Sequence, residues 1–277
     1  MDPRCMDHLL TEDERRQFSE EGYLIVKNAI PQDQCDGLEA LVDEIHDERK
    51  QAGFDGANLF FPNFVGRDQQ FIDLLDLPTT FPKVFGIMGW NVYLYHSHLG
   101  VTTQEAPDTE PVKQPLGFHQ DSGRVNREME FSPRPMLSLK IGFWLSDVSQ
   151  EGRGNFHIVP GSHLWDTLDR PEGRNPDGAI PVLAERGDAV FFDRRLWHAR
   201  SPNHSSIVRK GIFYGYGYRW IRTKDDMTIR PDLFNACDPI QKQILGHGTN
   251  CNGFFSPQDD DVPLKLWMEE HLEEVPA

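Results

Sequence analysis

Long apolar runs are absent from this 277-residue chain: no segment approaches the ~20 apolar residues that a membrane-spanning helix requires. The opening segment MDPRCMDHLLTEDERR is acidic and contains no apolar stretch of the kind found in secretory signal peptides. Cysteine is scarce too, and its 4 residues show neither CxxC nor zinc-site spacing. Repeats and low-complexity segments are also missing. These absences predict a cytoplasmic protein with free thiols.

Positive charge is the next scarcity. The chain has 28 Lys and Arg against 44 Asp and Glu, a net charge of −16, which argues against nucleic acid and anionic membranes as partners. A small molecule remains as the expected partner, and nothing in the sequence specifies an oligomeric state. Residues 119–222 nevertheless hold 15 basic against 12 acidic residues, while the rest of the chain holds 13 against 32. We therefore expect a locally basic site that attracts anions, although acidic helices flanking a neutral β-core would give the same balance.

A split set of two histidines and one carboxylate carries the chemistry. His119 and Asp121 stand in GFHQDSG, and His198 stands in DRRLWHARSPN. In an extended segment, residues i and i+2 point to the same side, so His119 and Asp121 can reach one metal ion. Two histidines and a carboxylate are the ligands of the facial-triad Fe(II) site, which leaves one face of the metal open. His-x-Asp alone is a weak signal, and its weight comes from the surrounding segments.

An arginine follows the second histidine at a short distance. Arg209 lies eleven positions after His198, at the start of a strand-like run. A guanidinium pairs with a carboxylate through two parallel hydrogen bonds, so a buried Arg209 near a metal would suit an anionic co-substrate. The alternative is a surface arginine paired with one of the many acidic residues. The spacing of eleven positions from His198 favours the first alternative, an arginine that binds an anion near the metal.

The order of elements predicts a mainly β fold with flanking helices. Thr11 and Glu14 form a capping-box pattern, and Pro31 opens an amphipathic helix that continues to about Lys50. Short strand-like segments separated by Gly- and Pro-containing turns follow, which fits a double-sheet jelly roll, the cupin-like double-stranded β-helix. The predicted strands are GYLIVKNAI, NVYLYHSHLGV, MLSLKIGFWLSDV, RGDAVFFD and RKGIFYGYGYRWI.

We expect a single domain over residues 1–277. It comprises an N-terminal helical part at about 1–90, a jelly-roll core at about 91–222 and a C-terminal helical extension at 223–277. The Pro-rich stretch 102–117 predicts a loop that leads into the His-x-Asp turn. Its acidic residues, Glu105, Asp108 and Glu110, are expected to be solvated. The glycines of the last predicted strand indicate close backbone approach.

Four segments together resemble a known family. GFHQDSG, LKIGFWLSDVSQEGRGNFHIVPGSH, ERGDAVFFDRRLWHARSPN and VRKGIFYGYGYRW are similar, in this order, to the phytanoyl-CoA dioxygenase family of Fe(II)- and 2-oxoglutarate-dependent oxygenases. The N-terminal FSEEGYLIVKNAI resembles the family's opening. The resemblance implies that His119, Asp121 and His198 bind iron and that Arg209 binds the C5 carboxylate of 2-oxoglutarate.

Two positions depart from the family pattern. Relatives often carry a small hydroxyl residue two positions after the second histidine, where this chain has Arg200. Many place a tryptophan on the strand that follows His-x-Asp, and here Phe143 and Trp144 compete for that place. Both departures concern secondary contacts to the co-substrate.

Further candidates surround these residues. His96 and His98 share one strand face, and we predict that His98 contacts the co-substrate, with a hydrogen-bonded packing role as the alternative. Arg200 is predicted to contact the co-substrate or the substrate. Arg124 and Arg127 follow the metal turn and are candidates for binding the substrate, with a solvated loop as the alternative. His157 and His163 are interpreted as structural, with His163 fixing a turn.

The implied activity is hydroxylation of a small anionic metabolite, using Fe(II), 2-oxoglutarate and O2 and releasing succinate and CO2. Halogenating relatives carry a small residue in place of this carboxylate, so Asp121 favours hydroxylation. Desaturation, cyclisation or epimerisation would use the same ligands. A catalytically inactive jelly-roll binding module would be expected to have lost a metal ligand or the arginine, and all four residues are present. A cupin-type dioxygenase without 2-oxoglutarate would leave Arg209 without a purpose.

Overall fold

The computed structural model describes residues 1–105, 115–121, 123–129, 131–226, 228–248 and 258–276. Short 3-10 turns lie at Pro3–His8, Val65–Arg67, Ser162–Leu164 and Asp259–Asp261. The α-helices are α1 (Glu12–Glu21), α2 (Gln32–Gln51), α3 (Gln69–Asp73), α4 (Phe81–Met88), α5 (Gly123–Glu128), α6 (Pro231–Ala236), α7 (Pro239–Ile244) and α8 (Pro263–His271).

Nine strands in the described residues form two antiparallel sheets. The larger sheet has the order β1-β7-β4-β9-β3-β2, and the smaller has the order β6-β5-β8. The strands are β1 (Tyr23–Val26), β2 (Asn58–Pro62), β3 (Val92–Thr102), β4 (Ser138–Trp144), β5 (Phe156–Ile158), β6 (Ile180–Val182), β7 (Ala189–Asp193), β8 (His198–Arg200) and β9 (Arg209–Tyr218). The coarse prediction of β-sheets with helices before and after them is therefore confirmed.

The predicted helix starts match the structure. Thr11 accepts a hydrogen bond from the Glu14 backbone, and the Glu14 side chain accepts one from the Thr11 backbone, so the predicted capping box forms. Helix α2 follows Pro31 and buries Leu38, Val42 and Ile45 on one face. The sequence analysis did not predict β2, a five-residue edge strand that pairs with β3.

Alternating side chains divide the larger sheet into two faces. On β9, Ile212, Tyr214 and Tyr216 belong to the main hydrophobic cluster, which also includes residues of α2, α4 and α8. Arg209 and Phe213, at odd-numbered positions of the same strand, line a cavity on the opposite face. A strand alternates its side chains in this way, so one strand serves the core and the cavity at once.

Glycines make room on the cavity face. Gly142 on β4 pairs with Phe213 on β9, and a Cβ atom at Gly142 would lie 2.7 Å from the Phe213 ring. Gly154 has φ +69°, and a Cβ atom there would lie 2.8 Å from the Arg209 side chain. These two glycines leave space for the Phe213 ring and the Arg209 side chain. The close backbone approach predicted for the last strand applies to Gly215, where a Cβ atom would lie 3.4 Å from the His96 carbonyl oxygen.

The expected loop at 102–117 lies partly outside the described residues, which exclude 106–114. Cys5, Cys35 and Cys237 are free thiols, as expected, and Cys251 lies outside the described residues. No helix among the described residues has the length and apolarity that crossing a membrane requires.

Candidate metal centre

Backbone pairing brings the two candidate ligand segments together. The His119 amide donates to the His198 carbonyl at 2.9 Å, and the His198 amide donates to the His119 carbonyl at 3.0 Å. The Asp121 amide is held by the Arg194 carbonyl at 2.8 Å. As a result, the ligand atoms of His119, Asp121 and His198 all lie within 4.8 Å of one another. Residues that are far apart in the sequence thus form one cluster with the donor set of a facial triad.

Each histidine of the cluster is oriented by a backbone carbonyl. Nδ1 of His119 lies 3.0 Å from the Gly117 oxygen, and Nδ1 of His198 lies 2.7 Å from the Leu196 oxygen. A carbonyl accepts only, so each Nδ1 carries the proton and each Nε2 presents a lone pair. Burial lowers the pKa of His198 to about 4, which keeps its imidazole neutral and able to coordinate.

A buried lysine partners the carboxylate. Nζ of Lys140, on β4, lies 2.8 Å from Oδ2 of Asp121. Burial opposes ionisation of Asp121, but the charge and hydrogen bond of Lys140 and the nearby His198 and His119 act against it, and the pKa of this carboxyl lies well below its usual range. The second carboxylate oxygen remains for a metal. Sequence reasoning missed Lys140, although its position between the apolar Leu139 and Ile141 was the available signal.

The three side chains open into a cavity of about 340 Å³ between the two sheets. The larger sheet contributes histidines, cations and Phe213, and the smaller sheet contributes residues of β5 and β8. The residues that line the cavity are Asn58, Leu59, Phe60, His96, His98, Gly100, His119, Asp121, Lys140, Phe156, Phe192, His198, Ala199, Arg200, Arg209, Phe213 and Lys224.

Arg209 lies in this cavity wall without a carboxylate partner among the described residues. Its side chain is buried, its Nε has no hydrogen-bond partner, and its guanidinium carbon lies 4.5 Å from the centre of the Trp144 ring. Burial lowers the pKa of Arg209 to about 9. Glu105, which pairs with Arg200, is an acidic residue whose charge acts on Arg209. A buried cation without a directly bound carboxylate is costly, and a bound anion would offset that cost.

The comparisons with known proteins agree with this arrangement. Residues 18–211 match the family model described as phytanoyl-CoA dioxygenase. The chain belongs to the phytanoyl-CoA dioxygenase family. Its relatives include the dioxygenase cdmD of Talaromyces verruculosus, 27% identical over 170 residues, which are 60% of this chain and 53% of the relative. The dioxygenase trt7 of Aspergillus terreus is 33% identical over 116 residues, 42% of this chain and 40% of the relative. The chain thus spans about half the length of these relatives, or less.

Solved structures share the fold at low identity. The non-heme alpha-ketoglutarate-dependent carbocyclase SnoK from nogalamycin biosynthesis matches with a TM-score of 0.58 and 20% identity, covering 76% of this chain and 85% of that chain. HygX from Streptomyces hygroscopicus, solved with nickel and 2-oxoglutarate, matches with a TM-score of 0.59 and 15% identity, covering 81% and 94%. At these identities the similarity concerns the fold.

The departures from the phytanoyl-CoA dioxygenase family pattern have structural counterparts. Trp144 faces the cavity side and stacks on Arg209, whereas Phe143 packs edge-on against Tyr214 on the opposite face. Trp144 therefore occupies the place for which two aromatic residues competed in the sequence. Arg200 lines the cavity, but its guanidinium contacts both oxygens of Glu105 at 3.0 and 3.1 Å.

Two expectations about charged residues need correction. Glu105 is not simply solvated: besides Arg200, it accepts a hydrogen bond from the Asn203 amide at 2.7 Å. Asp108 and Glu110 lie outside the described residues. Arg124 and Arg127 lie on α5 and are exposed, outside the cavity lining, and Arg124 pairs with Glu128 at 2.8 Å. These two arginines were candidates for binding the substrate, with a solvated loop as the alternative, and the structure places them exposed on a short helix.

The other candidate histidines fall into two groups. His98 lines the cavity beside His96. Nε2 of His163 lies 3.2 Å from the Ser19 carbonyl near the end of α1, and Nδ1 of His157 lies 3.2 Å from the Asn155 carbonyl. Both of the latter contact the backbone outside the cavity lining.

Proposed function

We propose that this chain is an Fe(II)- and 2-oxoglutarate-dependent oxygenase that hydroxylates a small molecule, folded as one domain around a double-stranded β-helix. The observation that carries the proposal is the presence, in one cavity, of the His119–Asp121–His198 cluster and of Arg209, a buried guanidinium without a carboxylate partner in the described part of the chain. Two proteins that share the fold support the proposal. SnoK is described as dependent on alpha-ketoglutarate, which is 2-oxoglutarate, and HygX was crystallised with 2-oxoglutarate bound.

Nε2 of His119, Nε2 of His198 and a carboxylate oxygen of Asp121 would hold the iron. When bound, iron with 2-oxoglutarate supplies O2 activation, and the co-substrate leaves as succinate and CO2. Lys140 keeps Asp121 ionised and restrains one of its oxygens. Arg209 would pair with the C5 carboxylate of 2-oxoglutarate, because its planar fork matches that group.

Apolar side chains shape the rest of this cavity. Phe156, Phe192 and Phe213 line it, and Phe192 lies with its ring centre 5.2 Å from that of His198. Phe156 and Phe192 cover the His198 ring and shield it from water, which strengthens the electrostatic interactions at this ligand. The same rings restrict the space left for the primary substrate beside the co-substrate.

The charge of the substrate is a separate matter. An anionic substrate was expected from Arg124, Arg127 and Arg200, but the first two lie outside the cavity lining and the third is paired. Lys224 lines the cavity mouth and has no carboxylate partner within the described residues. An anionic group on the substrate would bind there.

Succinate formation is the direct test. The purified chain would be supplied with Fe(II) and 2-oxoglutarate, alone and with a panel of small anionic and neutral metabolites. We expect succinate release that depends on both additions, and an organic product that gains one oxygen atom. The Asp121→Ala variant should release none, while Arg124→Ala, altered on the exposed helix, should match the unmodified chain. Succinate release that Asp121→Ala retains would refute the proposal.

The fate of the substrate distinguishes hydroxylation from the alternatives. Desaturation or oxidative ring closure removes two hydrogen atoms, and epimerisation leaves the mass unchanged. Two solved structures that share the fold are described as a carbocyclase and an epimerase, so mass spectrometry of the product is an essential part of the assay.

A further inference from the structure

Three buried side chains form a hydrogen-bonded row that ends in the cavity wall. Oδ1 of Asp225 lies 2.7 Å from Nδ1 of His96, and Nε2 of His96 lies 3.2 Å from Nδ1 of His98. Asp225 and His96 are almost completely buried, and His98 lines the cavity. None of the three belongs to the ligand cluster or contacts Arg209 in the described hydrogen bonds and ion pairs.

The far end of the row is anchored to the backbone. Oδ2 of Asp225 accepts hydrogen bonds from the Ser97 amide at 2.5 Å and from the Ser97 hydroxyl at 3.3 Å. The Thr223 hydroxyl accepts from the Asp225 amide and donates to the Tyr95 carbonyl. These contacts leave Oδ1 for His96 and hold the carboxylate in place.

The row has a direction. A carboxylate only accepts hydrogen bonds, so Nδ1 of His96 must carry a proton. Burial lowers the pKa of His96 and lowers the pKa of His98 further below its ordinary value, so that each ring is neutral and carries one proton. Nε2 of His96 is then an acceptor, Nδ1 of His98 is the donor to it, and Nε2 of His98 is left with a lone pair.

The His98 ring is fixed in this orientation. It stacks between Phe60, at 4.5 Å between ring centres, and Phe213, at 4.7 Å with the ring planes 6° apart. With both faces covered and Nδ1 engaged, the edge that carries Nε2 is the free one. No described residue donates a hydrogen bond to that nitrogen.

We propose that Asp225 and His96 act as positioning residues that make His98 present a hydrogen-bond acceptor to the cavity, and that His98 therefore binds a hydroxyl or N–H group of the primary substrate. A carboxylate of 2-oxoglutarate offers only lone pairs, which repel the lone pair of Nε2. His98 is thus assigned to the substrate, although the sequence alone predicted a co-substrate contact. The assignment rests on the proposed function, since it presumes that a primary substrate enters this cavity.

The protonation pattern is measurable without turnover. Nitrogen-15 NMR of the full chain with labelled histidine, loaded with Zn(II) as a diamagnetic substitute for iron, reports which ring nitrogens carry protons. We expect protonated Nδ1 and bare Nε2 in both His96 and His98, with His98→Gln and His96→Gln spectra assigning the signals. A protonated Nε2 of His98 would overturn the proposal. This reading remains valid even if the chain fails to turn over 2-oxoglutarate.

Asp225→Asn tests the role of the carboxylate. An amide can donate to Nδ1 of His96, so the row is free to reverse and Nε2 of His98 would gain a proton. We expect this reversal in the spectrum. An unchanged pattern in a folded Asp225→Asn chain would show that Asp225 does not set the direction. If Asp225→Asn does not fold, the spectrum of the unmodified chain and the His98→Leu variant still test whether Nε2 of His98 is an acceptor.

Co-substrate binding separates the two assignments of His98. In the anaerobic Fe(II) protein, 2-oxoglutarate affinity follows from the charge-transfer absorbance of its chelate. His98→Leu should leave that affinity close to the unmodified value, whereas Arg209→Ala should weaken it roughly tenfold or more, as loss of a charge-assisted hydrogen bond does. Equal weakening in both variants would assign His98 to the co-substrate. Absence of 2-oxoglutarate binding in the unmodified chain would instead refute the proposed function.

A matched pair of probes tests the acceptor directly. Cyclohexanol has a hydroxyl donor, and methoxycyclohexane has the same ring without one. Titrated into the Zn(II)-loaded chain, cyclohexanol should move the Nε2 resonance of His98 and methoxycyclohexane should not. An equal response to the two compounds, including no response, would count against substrate recognition at His98.

Discussion

The two faces of the six-stranded sheet differ in the hydrogen bonding of particular buried polar groups. On the face toward the helices, the hydroxyls of Tyr214 and Tyr216 donate to the Phe71 and Leu75 carbonyls, each at 2.7 Å. On the cavity face, Arg209 is buried with an Nε that has no hydrogen-bond partner. Both faces are formed by the same strands, because successive residues of a strand point to opposite sides of the sheet.

This difference separates stability from function. Polar groups on the helix face have permanent partners within the chain, so they contribute to the folded state at all times. On the cavity face, Arg209 and His98 have atoms for which a bound small molecule would be the partner. Changes on the helix face should therefore reduce the free energy of unfolding, and changes on the cavity face should reduce binding and turnover.

The largest expected effect is the loss of activity in His119→Ala. This residue is exposed and contributes little to packing, but it supplies one of the three ligand atoms. Iron affinity should fall by more than roughly 100-fold, because even the partners of metal ligands change affinity 10- to 100-fold. Turnover should disappear while the melting temperature of the metal-free chain stays unchanged.

Iron content after gel filtration and succinate release would check this prediction. His157→Ala is the control, since His157 is a partly buried histidine that contacts the backbone outside the cavity lining. Retention of iron by His119→Ala would mean that the metal binds elsewhere.

Phe143→Ala should show the reverse pattern. The Phe143 side chain is fully buried on the helix face, and its ring packs edge-on against Tyr214 at 5.9 Å between centres. Deleting it leaves a cavity that costs about 3–5 kcal/mol of unfolding free energy. Urea unfolding measures the loss, and turnover per folded molecule should remain close to that of the unmodified chain. If Phe143→Ala had normal stability and impaired turnover, the proposed separation of stability and function between the two faces would be wrong.

Arg209→Ala is expected to raise the KM for 2-oxoglutarate roughly 10- to 100-fold, since a charge-assisted pair contributes about 1.5–3 kcal/mol. Arg209→Lys should recover only part of this, because one ammonium cannot reproduce the guanidinium fork. Arg186→Ala provides the control: that arginine pairs with Asp36 and Glu39 of α2 on the helix side. Steady-state kinetics at saturating iron measures the KM for 2-oxoglutarate. An unchanged KM in Arg209→Ala would show that a different cation binds the co-substrate carboxylate.

Tyr214→Phe should have the smallest effect. It removes one hydroxyl and leaves the buried Phe71 carbonyl without its donor, which costs about 1–3 kcal/mol. Kinetic constants should not change, because the side chain points away from the cavity. An altered KM for 2-oxoglutarate in this variant would show that the two faces are coupled through β9.

The identity and order of the main elements followed from local patterns. The capping box at Thr11 and the amphipathic helix after Pro31 were recognisable because both depend on residues within a few positions of one another. β2 was missed because a five-residue edge strand offers little pattern of its own. α5 was not foreseen, so Arg124 and Arg127 were expected near the substrate and instead face solvent.

By itself, the sequence determined the side-chain types of the candidate site: two histidines and a carboxylate at His119, Asp121 and His198, and an arginine at the start of the last strand. The i, i+2 rule links His119 with Asp121 because it is a local property, whereas His198 and Arg209 were linked to them through the resemblance to the family. Only the tertiary structure decided the partners. The Arg200–Glu105 pair spans 95 positions and the His96–Asp225 pair spans 129. Such pairs depend on strand register and on where loops cross the sheet, and these are set by the packing of the whole domain.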